Sequence, residues 1–78
     1  MDYTLTNLTA LLADFACVPP ESINFTDALA DIGLDSLDHV QLIQEIEEHF
    51  EIEFPAEQAA DLTTVALLHD AIQAAQAA

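Results

Sequence analysis

The first part of the chain has the spacing of an amphipathic helix. Its apolar residues recur at intervals of three and four, with polar residues between them, at Leu5, Leu8, Leu11, Leu12 and Phe15. This spacing predicts a first helix, which must end before Pro19 and Pro20 because proline does not continue a helix.

The second helical segment is the clearest in the chain. It begins after Asp35, and its predicted apolar stripe consists of Leu37, Val40, Ile43, Ile46 and Phe50, with Leu42 beside it. Polar residues three and four apart, at Asp38, Gln41, Glu45 and Glu48, predict a solvent face. The pattern ends near Glu51, and we expect residues 51–54 to form a loop.

Two further helices follow. Pro55 suits the first turn of a short third helix over about residues 56–61. Thr63 or Thr64 is expected to cap a fourth helix, whose predicted inward residues are Val65, Leu67, Leu68, Ala71 and Ile72.

The stretch 17–35 lacks a period and is long for so small a chain. Its scattered apolar residues are expected to pin it to the core, namely Ile23, Phe25, Leu29, Ile32 and Leu34. Gly33, which is the one glycine, is expected to adopt a backbone conformation that other residues resist. The predicted fold class is all-α, a small four-helix bundle with a long first loop and a short third helix.

The composition of the chain limits the classes of function that it can have. The 78 residues allow one domain, and 24 of them are Leu, Ile, Val or Phe, which is too apolar for a disordered chain. There are 15 acidic residues and no Lys or Arg, giving a net charge of −15. This excludes phosphate-based nucleic-acid binding and docking to anionic membranes, and it favours partners with a basic face.

Other features argue against further classes of protein. Without a signal peptide or a long apolar run, we expect a cytoplasmic monomer. The single cysteine, Cys17, is expected to be partly buried and structural, since the chain has no Lys or Arg to make its thiol reactive. His39, His49 and His69 lack zinc-ligand spacing and are expected to be solvated, so no metal site is predicted.

The candidate chemistry lies where the long loop meets the second helix, in the run Gly33-Leu34-Asp35-Ser36-Leu37-Asp38. Asp35 or Ser36 can cap the helix, and Asp38 suits its positive end. A serine at that position can also present its hydroxyl for a phosphate ester, which a helix N-terminus favours. The run lacks the Gly-x-Ser-x-Gly elbow of a hydrolase, and so small a bundle offers little cleft, so the chain is not predicted to be an enzyme.

Residues 31–72 resemble an acyl carrier protein. The resemblance rests on the Asp-Ser-Leu-Asp run at Ser36, on Glu47-Glu48-His49-Phe50 eleven residues beyond it, and on Pro55 and Leu62-Thr63-Thr64-Val65 in the same order. It implies a single acyl carrier domain over residues 1–78 with four helices, the third short. It also implies that Ser36 carries 4′-phosphopantetheine, installed from coenzyme A by a phosphopantetheinyl transferase, whose thiol holds acyl chains as thioesters.

The resemblance further implies the surfaces that such a carrier uses. Acidic residues of the second helix would meet basic faces on acyl-transfer and synthase enzymes, namely Asp35, Asp38, Glu47 and Glu48. The acyl chain would enter between the helices, where each candidate lining residue can equally be plain core: Leu42, Ile43, Ile46, Phe54, Ala59, Leu62, Leu68 and Ile72.

Departures from the family pattern leave the pathway open. Gln41 replaces a common acid, Cys17-Val18-Pro19-Pro20 replaces the usual Gly-Val, and the few basic residues of fatty-acid carriers are missing. Fatty-acid, polyketide and specialised lipid synthesis all remain compatible with the pattern. The alternatives are a peptidyl or aminoacyl carrier, or an acidic helical interaction module without a prosthetic group.

Overall fold

The computed structural model describes residues 3–77, which form a bundle of four α-helices. These are α1 (Tyr3–Ala16), α2 (Ser36–Phe50), α3 (Ala56–Asp61) and α4 (Val65–Ala77). Two short 3-10 turns, Pro20–Ser22 and Leu29–Ile32, lie in the connection between α1 and α2. The predicted all-α fold, the long first connection and the short α3 are confirmed.

The core is built mainly from three of the helices. Its fully buried large side chains come from α1, α2 and α4: Leu8, Leu12, Leu42, Ile46, Val65, Leu68 and Ile72. Leu29, Leu34 and Leu62 are buried against this cluster from the connecting segments. None of the six residues of α3 is buried, so this helix lies on the surface of the bundle.

The predicted apolar stripe of α2 is partly wrong. Leu37 is 78% exposed and Val40 is 58% exposed, whereas Leu42, Ile43 and Ile46 are buried. Leu37 and Ile46 are joined by steps of three, and a helix turns about 100° per residue. Three such steps amount to about two and a half turns, so the two residues lie on opposite sides of α2.

Leu67 shows the same kind of error in α4. It was predicted to point inward but is 44% exposed, whereas its neighbour Leu68 is fully buried. The buried face of α4 contains Val65, Leu68, His69 and Ile72, at the spacing of three, four and seven residues that marks one side of a helix. Leu67 falls outside that face.

Backbone pairing holds the long connection against the start of α4. The Leu29 N–H donates to the Thr63 carbonyl at 2.9 Å, and the Val65 N–H donates to the Asp27 carbonyl at 3.0 Å. Together they flank an isolated antiparallel bridge between Ala28 and Thr64. Thr64 also caps α4, since its hydroxyl accepts the Leu67 N–H at 3.1 Å, as predicted.

The apolar residues of this connection contribute unequally. Leu29 and Leu34 are buried, and Ile23 and Ile32 are half-buried against the core, as predicted. Phe25 is the exception, because it is 43% exposed and its ring meets the His69 ring edge-on.

Three helical segments end in the same way. The backbone N–H of the second residue beyond each end donates to a carbonyl five residues earlier: Val18 to Ala13, Leu34 to Leu29, and Ile52 to Glu47. The residue between is left-handed in each case, with φ of 58° at Cys17, 91° at Gly33 and 56° at Glu51. This geometry favours glycine, so the expectation for Gly33 is confirmed and the other two ends carry strain.

Relief of that strain gives a stability prediction. Cys17→Gly and Glu51→Gly should each raise the free energy of unfolding by about 1 kcal/mol, because a left-handed conformation is unfavourable for a residue with a Cβ. Urea unfolding of each variant measures the effect. Ala10→Gly, inside α1, is the matched control and should lower stability by about the same amount. Loss of stability in Cys17→Gly and Glu51→Gly would contradict the assignment of strain.

The two ends of the described chain lie side by side. The Thr4 hydroxyl in α1 is 3.2 Å from the Oε1 of Gln76 in α4, to which it donates. Within residues 3–77, no helix has both the length and the apolar character needed to cross a bilayer.

Candidate functional site

The start of α2 is closed by a reciprocal pair of hydrogen bonds. Asp35 is the N-cap, and its Oδ1 accepts the Asp38 backbone N–H at 2.9 Å. The Asp38 Oδ2 in turn accepts the Asp35 backbone N–H at 3.2 Å. This capping box confirms the capping prediction and assigns the cap to Asp35 rather than to Ser36.

Ser36 is therefore relieved of a capping role. It is the first residue of α2 and is exposed, and within residues 3–77 its hydroxyl has no hydrogen-bond partner. The helix N-terminus carries a partial positive charge, which favours a negatively charged ester on that oxygen. The reciprocal bonds between Asp35 and Asp38 hold the backbone on both sides of Ser36. The residues present thus fit a phosphodiester at Ser36.

A groove runs from Ser36 along α2 and faces α3. Its volume is about 450 Å³. The lining residues come from α2, from the loop before α3 and from α3 itself: Ser36, His39, Val40, Ile43, Gln44, Glu47, Phe54, Ala56, Ala59 and Ala60. Because Ala56, Ala59 and Ala60 have small side chains, α3 fills little of the space beside α2.

Three of the eight predicted chain-lining residues reach this groove, namely Ile43, Phe54 and Ala59. The other five are core residues with exposures of 5% or less, and the groove does not touch them: Leu42, Ile46, Leu62, Leu68 and Ile72. The groove also has polar lining residues that are not among the eight, namely His39, Gln44 and Glu47. Their positions on α2 carry the signal, since His39, Ile43 and Glu47 follow one another at intervals of four residues.

The four predicted docking acids differ in their surroundings. Asp35 and Glu48 are exposed, whereas Asp38 and Glu47 are half-buried. Asp38 belongs to the capping box, and the Oε2 of Glu47 accepts the Phe54 backbone N–H at 2.8 Å. Asp35 is the other partner in that capping box, so three of the four acids also hold the local structure.

The expectation of solvated histidines is correct only for His49, which is exposed. His39 is half-buried, and its Nε2 lies 2.9 Å from the Leu62 carbonyl oxygen, so Nε2 carries the hydrogen and donates. His69 is only 7% exposed and meets Phe25. The expectation for Cys17 is also wrong, because this residue is exposed at the end of α1.

These features define a carrier domain, in which a small helical bundle presents one hydroxyl at a helix N-terminus beside an open groove. The family described as "Phosphopantetheine attachment site" matches residues 7–72. The chain therefore belongs to the phosphopantetheine-attachment family, whose members carry 4′-phosphopantetheine as a prosthetic group and act as non-catalytic carriers.

Two curated relatives are large synthases. The chain is 41% identical to the 3-methylorcinaldehyde synthase tropA of Talaromyces stipitatus over 61 residues, and this match covers 78% of the chain. It is 51% identical over 43 residues to the non-reducing polyketide synthase sorB of Penicillium rubens, which covers 55% of this chain. In both cases the match spans only 2% of the relative's own length.

Proposed function

We propose that Ser36 is the attachment residue and that the chain, as one carrier domain over residues 1–78, holds acyl intermediates of polyketide synthesis. The observation that carries this proposal is the exposed Ser36 hydroxyl at the first position of α2, in a chain of the phosphopantetheine-attachment family. When bound, the prosthetic group supplies a thiol that holds the acyl chain as a thioester. The chain's own residues position that group and do no bond chemistry.

The relatives support polyketide cargo over the other candidates. One is named as a non-reducing polyketide synthase and the other as a 3-methylorcinaldehyde synthase. Neither name refers to amino acids or peptides. Acyl carriage is accordingly favoured over peptidyl or aminoacyl carriage.

The surface around Ser36 suits brief contact with partner enzymes. Leu37 and Val40 form an exposed apolar centre in the first turns of α2, next to Asp38 and the N-cap Asp35, and Glu48 is exposed about two turns further along the helix. Apolar contact supplies affinity at such a centre, while charges mainly raise the association rate and select partners. A net charge of −15 without any Lys or Arg favours enzymes with basic docking faces, including phosphopantetheinyl transferase.

A charging experiment tests the cargo. The modified protein is incubated either with malonyl-coenzyme A and a malonyl transferase of a polyketide synthase, or with an amino-acid-adenylating enzyme, ATP and its amino acid. We expect intact-mass spectrometry to show one malonyl group added in the first reaction and no aminoacyl group in the second. The reverse result would identify a peptidyl carrier.

The same malonyl reaction tests the docking face. Leu37→Ala should lower the initial rate about tenfold, because it removes the exposed apolar centre of the contact. Leu67→Ala removes a leucine that is also partly exposed but lies on α4, and it should leave the rate within a factor of two. Equal effects of the two variants would contradict docking through α2.

A further inference from the structure

The α2–α3 groove is bounded at both ends by hydrogen bonds from α2. At the end near Ser36, the His39 Nε2–H donates to the Leu62 carbonyl, directly after the last residue of α3, at 2.9 Å. At the other end, Glu47 accepts the Phe54 backbone N–H, in the loop that leads into α3, at 2.8 Å. His39 and Glu47 are eight residues apart, which corresponds to about 12 Å along a helix.

α3 itself buries little apolar surface, and its flanking residues Phe54 and Leu62 pack against the core. None of its residues is buried, and Ala59 is its half-buried member packed against the core, with Leu62 buried just beyond it. Three of the residues of α3 that face the groove are alanines, which bury little area. The position of α3 relative to α2 therefore depends on the contacts at its two ends, where both hydrogen bonds lie.

We propose that His39 and Glu47 are positioning residues that hold α3 against α2 and thereby control how far an acyl chain in the groove is shielded from solvent. The inference rests on the proposed function, since it assigns the groove to the cargo. Both side chains line the groove themselves, so they act at its ends while Val40, Ile43 and Phe54 supply its apolar surface.

The contribution of each end follows from the chemistry of its hydrogen bond. A neutral bond such as that from His39 to Leu62 changes a local opening equilibrium by about 2- to 13-fold. A bond to a carboxylate such as that of Glu47 changes it by about 13- to 160-fold. Loss of the Glu47 bond should therefore loosen α3 more than loss of the His39 bond.

Amide hydrogen exchange of the protein without the prosthetic group tests whether these two hydrogen bonds hold α3. His39→Ala and Glu47→Ala should speed exchange in residues 54–62 by those factors, and exchange at the core residues of α1 should change less. His39→Gln keeps an amide N–H at similar reach and should restore most of the protection. Glu47→Gln keeps an acceptor oxygen without the charge, so it should restore the part that a neutral bond supplies, about 2- to 13-fold. His49→Ala and Glu45→Ala are matched controls, because both residues are exposed on α2.

Chemical cleavage of a hexanoyl thioester tests the shielding. Hydroxylamine attacks the thioester carbonyl, forms the hydroxamate and releases the thiol of the arm. We expect cleavage to be at least about threefold faster in Glu47→Ala than in wild type, in Glu47→Gln or in Glu45→Ala. If the stability of Glu47→Ala to urea is unchanged while its cleavage is faster, the effect is loss of shielding and not general unfolding.

The two measurements separate the possible failures. Unchanged exchange in the alanine variants, or equal exchange in the alanine and glutamine variants, would overturn the positioning role. Faster exchange with unchanged cleavage would overturn control of the cargo. If the wild type does not accept phosphopantetheine at all, the proposed function fails, whereas the exchange data still report whether His39 and Glu47 hold α3.

Discussion

Substitution of Ser36 by alanine should abolish attachment of the prosthetic group. Wild-type protein incubated with coenzyme A and a broad-specificity phosphopantetheinyl transferase is expected to gain the mass of one phosphopantetheine, and Ser36→Ala to gain none. The physical reason is that the alanine lacks the oxygen on which the phosphodiester forms. Because Asp35 rather than Ser36 caps α2, the substitution should change stability by less than about 0.5 kcal/mol.

A second serine provides the control for this experiment. Ser22 is exposed, and its hydroxyl donates to the Pro19 carbonyl at 2.7 Å in the first 3-10 turn. Ser22→Ala should gain the same mass as the wild type. A mass gain in Ser36→Ala would place the attachment site on another hydroxyl, and no gain in folded wild type with several unrelated transferases would overturn Ser36 as the site.

The largest expected loss of stability comes from the core of α4. Leu68 is fully buried, and Leu68→Ala should lower the free energy of unfolding by about 2 to 5 kcal/mol through lost apolar burial and a residual cavity. A domain of this size has a total stability of only about 4 to 12 kcal/mol, so much of the variant would unfold at low urea concentration.

Leu67 is the matched control for Leu68, because the two leucines are adjacent and Leu→Ala removes the same atoms from each. Leu67 is 44% exposed, and Leu67→Ala should cost less than about 1 kcal/mol. Urea unfolding followed by circular dichroism measures both. Similar losses in the two variants would show that α4 is rotated relative to the structure described above.

The local signals of the sequence predicted much of the fold. Pro55 and the residues after it placed α3 at its observed bounds, and Thr64 caps α4 as expected. Gly33 has the positive φ that its position between loop and helix suggested. Each of these features depends on residues that are neighbours in sequence, so composition and spacing are enough to predict them.

Features that depend on helix rotation were predicted less well. Intervals of three placed Leu37 and Val40 on the buried face of α2. The inward side of α2 instead includes His39, Ile43, Ile46 and Phe50, at intervals of four, three and four, with the buried Leu42 beside them. This second spacing stays on one side of a helix, and it explains why His39 packs inward. Because histidine is not counted as an apolar residue, the apolar periodicity did not include His39 or His69.

The groove and the backbone pairing of the long connection could be recognised only from the structure. Of the eight residues predicted to line the acyl chain, Ile43, Phe54 and Ala59 face the groove and the other five lie in the core, because apolar character does not distinguish a core from an open groove. Their contact with an acyl chain stays a prediction. The bridge between Ala28 and Thr64 is made by backbone atoms, which every residue possesses. No side-chain pattern could therefore have indicated it.

The hydrogen bond between Thr4 and Gln76 has a consequence for how such a unit can be built into a longer polypeptide. Because the first and last helices meet at this point, segments joined to the two ends would leave the bundle at one place. A unit with adjoining ends can be spliced into a surface loop of another protein, or circularly permuted, without stretching its own backbone. This arrangement would let a carrier domain be exchanged between multidomain synthases as a self-contained cassette.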